Sequence, residues 1–154
     1  MANTGVDGNN RGRQIIAGAT APRRPPVTRI LIAEDMDDLR DTLVALLELE
    51  EDFLVVAALA SGERIVPAGL AHHPDVAVID IDLPVVDGLT AAAELRRRLP
   101  TCRVLILTGL PRAGYSGLAA AAGASGFLTK DGPADLLIDA IRRVAVGEQP
   151  LRDA

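Results

Sequence analysis

Aromatic side chains are nearly missing from this chain of 154 residues: Phe53, Tyr115 and Phe127 are the only ones. The core must therefore be aliphatic, and there are too few rings to sandwich a flavin. A single cysteine, Cys102, excludes an intramolecular disulfide and fits a reducing cytoplasm. No apolar run approaches the roughly 18 residues that a membrane span needs. The N-terminus lacks the charged-then-apolar pattern of a secretory signal. These absences predict a cytoplasmic protein. Lysine is scarce as well: fifteen of the sixteen basic residues are arginine, and the exception is Lys130. Arginine and lysine are not equivalent where one positive point must reach a carboxylate or phosphoryl oxygen. The position of Lys130 therefore matters.

Hydrophobic residues make up 49% of the chain, ample for a globular body. The net charge of −5 is unevenly spread. Residues 1–28 set Arg11, Arg13, Arg23 and Arg24 against Asp7, a net of +3, which leaves −8 on the rest. An acidic body argues against direct binding of nucleic acid, whose phosphates need cationic partners. Residues 1–28, rich in Gly, Asn, Arg and Pro and ending near Pro25-Pro26, are expected to be a flexible, solvated leader. Their charge is a weak hint of a polyanion contact.

Beyond the leader, strand and helix patterns alternate with little slack. Apolar runs at Arg29–Ala33, Phe53–Leu59, Asp75–Ile79, Arg103–Leu107 and Ser125–Thr129 predict five strands. Met36–Glu48 places Leu39, Leu43, Leu46 and Leu47 on one face at helical spacing. Ser61 is a candidate N-cap for a second helix, which Pro67 should kink or shorten. Gly88–Leu99 predicts a third helix, with Arg96, Arg97 and Arg98 on its outer face. Pro111–Gly123 contains Gly114, Gly117 and Gly123 among alanines and predicts a weak fourth helix with little to bury. Ala134–Val146, with Pro133 at the first helical position, carries Leu137, Ile141 and Val144 on one stripe. Five strand–helix units with short connections predict a doubly wound α/β fold, a five-stranded parallel sheet in the order 2-1-3-4-5. The chain stops at Leu151–Ala154, soon after the last predicted helix.

In such a sheet every strand ends on one edge, where these folds bind ligands. Glu34 and Asp35 follow the first strand, Asp80 the third, Thr108 the fourth and Lys130 the fifth. Three carboxylates, a hydroxyl and the sole lysine should therefore meet in one pocket. Clustered carboxylates resist joint ionisation unless a cation neutralises them. A hard divalent ion held through oxygen suits Mg²⁺, and beside it a carboxylate can attack phosphorus to form an acyl phosphate. Phosphoryl transfer depends on positioning and charge neutralisation, which Mg²⁺ and Lys130 would supply. Each residue alone also has an ordinary explanation. Glu34 and Asp35, with Asp37 and Asp38, suit a helix N-terminus; Asp80 suits a loop, Thr108 a turn, and Lys130 a solvated surface. Their joint placement at strand ends favours chemistry.

Residues 29–148 resemble a response-regulator receiver domain over nearly their whole length. The motifs match in order: Glu34-Asp35, then Asp80-Ile81-Asp82-Leu83-Pro84 running to Asp87-Gly88, then Thr108-Gly109, then Phe127 three residues before Lys130. The resemblance implies phosphorylation of Asp80 by a sensor histidine kinase. It also implies Mg²⁺ bound by Glu34, Asp35, Asp80 and the main-chain carbonyl of Asp82. Thr108 and Phe127 match a hydroxyl–aromatic switch pair that reports to the face around helix four, strand five and helix five. The stretch from Gly123 to Asp131 is most similar to the NarL/LuxR-type subgroup, where a receiver is joined to a helix-turn-helix module. On that resemblance, residues 149–154 begin a linker to an output domain absent from this chain. Phosphorylation would then pair two receivers so that two such modules meet DNA and regulate transcription. Pro67 and the Gly-rich stretch at 112–123 depart from the family pattern. Neither touches the expected site, but a poorly formed helix four would alter the usual switching surface.

Three rival readings use the same residues. Asp80-Ile81-Asp82 resembles the paired aspartates of haloacid-dehalogenase-type phosphatases, a nucleophile followed by a general acid/base. That signature follows a first strand and not a third, and no cap or second acidic motif lies downstream. A flavodoxin-like cofactor binder needs a phosphate loop of backbone donors after strand one, where Glu34-Asp35 would repel phosphate. The third is a receiver that works as an interaction module without phosphorylation. The residues at the strand ends therefore predict a phosphoacceptor module and not an enzyme.

Overall fold

The computed structural model describes residues 26–153. The apolar runs form strands β1 (Thr28–Ala33), β2 (Phe53–Leu59), β3 (Val76–Asp80), β4 (Arg103–Thr108) and β5 (Gly126–Thr129). All pair in parallel in one five-stranded sheet, in the order β2-β1-β3-β4-β5, as expected. Between them run helices α1 (Asp37–Glu48), α2 (Ile65–His72), α3 (Gly88–Arg98), α4 (Tyr115–Ala121), α5 (Ala134–Ala145) and a short α6 (Pro150–Asp153). The expected leader falls almost wholly outside the described residues, although Thr28 already opens β1.

Side chains alternate across a strand, so each strand feeds two cores. Ile30, Ile32, Val76, Val78, Leu105 and Leu107 pack with Leu43 and Leu47 of α1 and Leu137, Ile141 and Val144 of α5. Leu31, Ala33, Ala77, Ile79, Val104 and Ile106 pack with Ile65, Leu95 and Ala119 of α2, α3 and α4. This double burial is why β1, β3 and β4 read as unbroken apolar runs. The β1–β2 register slips once, with Ile30 opposite Val55 and Leu31 opposite Ala57, so Val56 is an extra residue on the edge strand.

Several local expectations need correction. Ser61 caps no helix through its side chain and donates instead to Glu63 Oε1 at 2.7 Å. A 3₁₀ turn at Gly62–Arg64 precedes α2, so Pro67 falls in the helix's first turn, where its missing N–H costs no intrahelical bond. The eight-residue α2 is short but accommodates its proline there. Pro133 is the N-cap of α5 and not its first residue. The weak fourth helix is shorter than expected, seven residues, because its only fully buried side chain is Ala119 and its N-cap, Gly114, offers no side-chain acceptor. The expected linker begins with a helical turn, α6, whose Leu151 N–H donates to Ser125 O at 3.0 Å.

The loop from Asp80 to Gly88 carries a strained residue. Val85 has φ of 71°, a left-handed conformation that costs an L-residue about 1–2 kcal/mol and a β-branched one at least as much. Its side chain is 80% exposed, so little packing offsets that cost. Val85→Asn should therefore stabilise the fold by about 1 kcal/mol, because asparagine tolerates this region. Urea unfolding measures the effect, and an unchanged or lower midpoint would show that the loop is not strained.

Candidate functional site

The C-terminal edge of the sheet gathers the polar residues singled out above. Glu34 and Asp35 leave β1, Asp80 ends β3, Thr108 ends β4, and Lys130 leaves β5. Carboxylate oxygens of Glu34, Asp35 and Asp80 lie within 4.8 Å of one another. Glu34 and Asp80 are each 1% exposed, whereas Asp35 faces solvent. Lys130 Nζ reaches across the sheet to Asp80 Oδ2 at 2.7 Å and to Glu34 Oε1 at 3.0 Å.

The charges do not balance. Three carboxylates meet one ammonium, which leaves two negative charges uncompensated in a largely buried pocket. Burial pushes the Glu34 carboxyl above the ordinary carboxylate range; the Lys130 hydrogen bond opposes this, and the Asp80 charge adds to it. For Lys130, burial works against the ammonium, but its bonds to Asp80 and Glu34 outweigh burial and lift its pKa. It is a firm cation at neutral pH. Glu34 Oε2 lies 2.7 Å from that ammonium as an ion-pair contact, yet at an angle that leaves it without a hydrogen bond. A buried carboxylate oxygen without a hydrogen bond, beside two unbalanced charges, is the condition a hard divalent ion relieves. The residues present fit such an ion.

The remaining predicted residues flank this centre. Asp82 is exposed, and its main-chain N–H donates to Asp80 Oδ1 at 3.2 Å. The fully buried Thr108 turns its hydroxyl toward Leu110 O at 3.3 Å. Phe127 pairs in the sheet with Ile106 and is half-buried on the core face that α4 covers. By strand alternation Thr108 shares that face with Val104 and Ile106. Cys102 plays no part: burial pushes its thiol up to about 12, which leaves no nucleophilic thiolate at neutral pH.

Two features support the site: the Asp87-Gly88 pair, which the sequence motif contains without its role, and Arg40, which the sequence reading missed. Gly88 opens α3 with its N–H on Ile81 O at 2.8 Å, so close that a Cβ there would overlap the carbonyl of Asp80. Asp87 caps the same helix, accepting from Thr90 N at 2.9 Å. The Asp-Gly pair thus sets the return of the loop beneath the acidic pocket. Arg40, in the first turn of α1, donates to the main-chain oxygen of Glu34 at 2.9 Å. A cation placed where the helix dipole disfavours it was the available signal.

A parallel sheet in this order with an acidic, lysine-bridged pocket at its C-terminal edge defines the class. Residues 30–142 match the model of the response regulator receiver domain, and the chain belongs to that family. It is a signalling module and not an enzyme. Among curated relatives it is similar to the transcriptional regulatory protein YvfU of Bacillus subtilis (strain 168), 44% identical over 121 residues, which cover 79% of this chain and 60% of that protein. DesR of the same organism, also a transcriptional regulatory protein, is 41% identical over 78% of this chain and 59% of its own length. The chain thus spans about 60% of the length of these relatives. Among solved structures, the signal receiver domain of NarL from Mycobacterium tuberculosis superposes with a TM-score of 0.77 at 30% identity, covering 80% of this chain and all of that one. A LuxR-family response regulator from Aurantimonas sp. SI85-9A1 gives 0.76 at 28% identity, over 80% of this chain and 88% of its own. The expected subgroup, NarL/LuxR-type, is borne out. Among the described residues no helix is long and apolar enough to cross a membrane.

Proposed function

We propose that Asp80 accepts a phosphoryl group from a sensor histidine kinase in the cytoplasm, and that this modification switches the face formed by α4, β5 and α5. The observation that carries the reading is the buried Asp80 carboxylate, bonded to Lys130 within a pocket two positive charges short of neutrality. Glu34, Asp35, Asp80 and the main-chain carbonyl of Asp82 would hold Mg²⁺. When bound, that ion supplies charge neutralisation for the oxygens of the incoming phosphoryl group.

The residues themselves divide the work. An Asp80 carboxylate oxygen forms a bond to phosphorus as the bond to the donor breaks, and the donor leaves with that electron pair. Lys130 holds the carboxylate in place and offers its ammonium to the phosphoryl oxygens. Thr108 exchanges its bond to the Leu110 carbonyl for one to the phosphoryl group, and Phe127 follows on the same sheet face. The α4 surface then repacks as one of two states. Transcriptional output requires a helix-turn-helix domain outside this chain, brought to two half-sites by pairing of phosphorylated receivers.

Incubation with acetyl phosphate tests the reading by intact mass. One phosphoryl group should be added with Mg²⁺ present and none after chelation. Mg²⁺ alone should also stabilise the fold. At ten times its dissociation constant, a ligand bound only to the folded state adds about 1.4 kcal/mol, or roughly 3–6 °C for a domain of this size. A melting temperature flat in Mg²⁺ together with metal-independent labelling would remove the metal from the site. No labelling under any condition would favour a phosphorylation-independent interaction module.

A further inference from the structure

The first turn of α1 contains a residue that the helix itself disfavours. A helix N-terminus carries partial positive charge, which suits Asp37 and Asp38 and opposes a cation at Arg40. Met36, the N-cap, makes no side-chain capping bond, so the entry to α1 lacks the usual fastening. Helical side chains lean toward the N-terminus, which carries the Arg40 guanidinium back over the loop leaving β1. There Nη1 donates to Glu34 O at 2.9 Å and Nη2 to Asp37 Oδ1 at 2.6 Å. The Arg40 side chain is only 17% exposed, so water competes weakly for the bond to Glu34 O, whereas the Asp37 side chain is 81% exposed and its bond is solvated.

We infer that Arg40 is a positioning residue for the acidic pair, setting the metal affinity of the pocket without touching the metal or Asp80. The Glu34 carbonyl belongs to the planar peptide joining Glu34 to Asp35. Fixing that carbonyl orients the plane between the two Cα atoms from which both carboxylates project. From the other side, Glu34 N donates to Leu59 O at 2.9 Å and Met36 N to Glu34 Oε1 at 3.2 Å. Arg40 completes this set of restraints, and its fork is suited to hold two oxygens at once.

The inference rests on the reading of the pocket as a divalent-ion site, and the sign of the expected effect separates positioning from electrostatics. A nearby positive charge repels a cation, so neutralising Arg40 by charge alone would tighten metal binding. If Arg40 acts by positioning, Arg40→Gln should weaken it instead, by about tenfold, the lower end of what loss of an outer-shell partner costs. Arg40→Lys, which keeps the charge but not the planar fork, should fall between parent and Gln variant, and it carries the test if the Gln variant does not fold. Mn²⁺ binding followed by electron paramagnetic resonance gives the affinity directly. Acetyl phosphate labelling across a Mg²⁺ titration should show the same rise in half-saturating Mg²⁺, with the rate at saturation recovering to near the parent's. Arg142→Gln, which breaks a distant arginine clamp on Asp52, serves as the control and should bind Mn²⁺ like the parent. If the parent itself binds no Mn²⁺, the site reading fails. If the parent binds and both Arg40 variants bind equally well or more tightly, the positioning role is overturned.

Discussion

Asp80→Asn should abolish labelling by acetyl phosphate under conditions where the parent protein gains one phosphoryl group. Asparagine preserves the shape of the carboxylate, and its one amide oxygen can still accept one of the two bonds that Asp80 accepts, from Asp82 N and from Lys130. It cannot supply an anionic oxygen to phosphorus, so the loss would lie in chemistry and not in folding. Stability makes the experiment sharper. The Asp80 charge adds to the burial that already pushes the Glu34 carboxyl up, so the substitution relieves like-charge repulsion inside the pocket. Without Mg²⁺ the variant should melt at or above the parent's temperature, and its gain from added Mg²⁺ should shrink. Intact mass and thermal melting read these outcomes separately. An asparagine variant that labels as fast as the parent would move the acceptor elsewhere.

Gly88→Ala should be the most damaging small substitution in the loop. Its new Cβ would overlap the Asp80 carbonyl and press on Ile81 Cα at 3.0 Å. Both obstacles are main chain, so no rotamer change relieves them. Either the first turn of α3 opens, losing the Gly88 bond to Ile81 and the Asp87 cap, or Asp80 moves out of the pocket. Overpacking of this kind costs about 1–3 kcal/mol and more where the backbone cannot yield, so a loss near 3 kcal/mol is expected. That is a fall in melting temperature on the order of 10 °C for a domain of this size. Stabilisation by Mg²⁺ should be lost with it. A variant as stable as the parent would show that the loop can be rebuilt without the close approach.

The layers, the strand order and the identity of the pocket residues are legible along the chain. Strands buried on both faces must be apolar at every position, so β1, β3 and β4 stand out as runs. Short connections between parallel strands leave few routes for the chain. Even the bounds of β2, Phe53–Leu59, were legible. Once the strands are placed, Glu34, Asp35, Asp80, Thr108 and Lys130 fall on one edge without any knowledge of distance. What these residues do to one another depends on packing between distant parts of the chain. Lys130 is 96 positions from Glu34, and their contact depends on the twist and register of the whole sheet. The Glu34 oxygen left without a hydrogen bond, the Gly88 approach to Asp80 and the reach of Arg40 over the β1–α1 loop have the same origin. Local pattern likewise misplaced the start of α2 and the extent of α4, because Pro67 and the glycines are judged by the turn they land in. Periodicity is a property of neighbours along the chain. A contact is fixed by long-range pairing, and so it follows only from the assembled sheet.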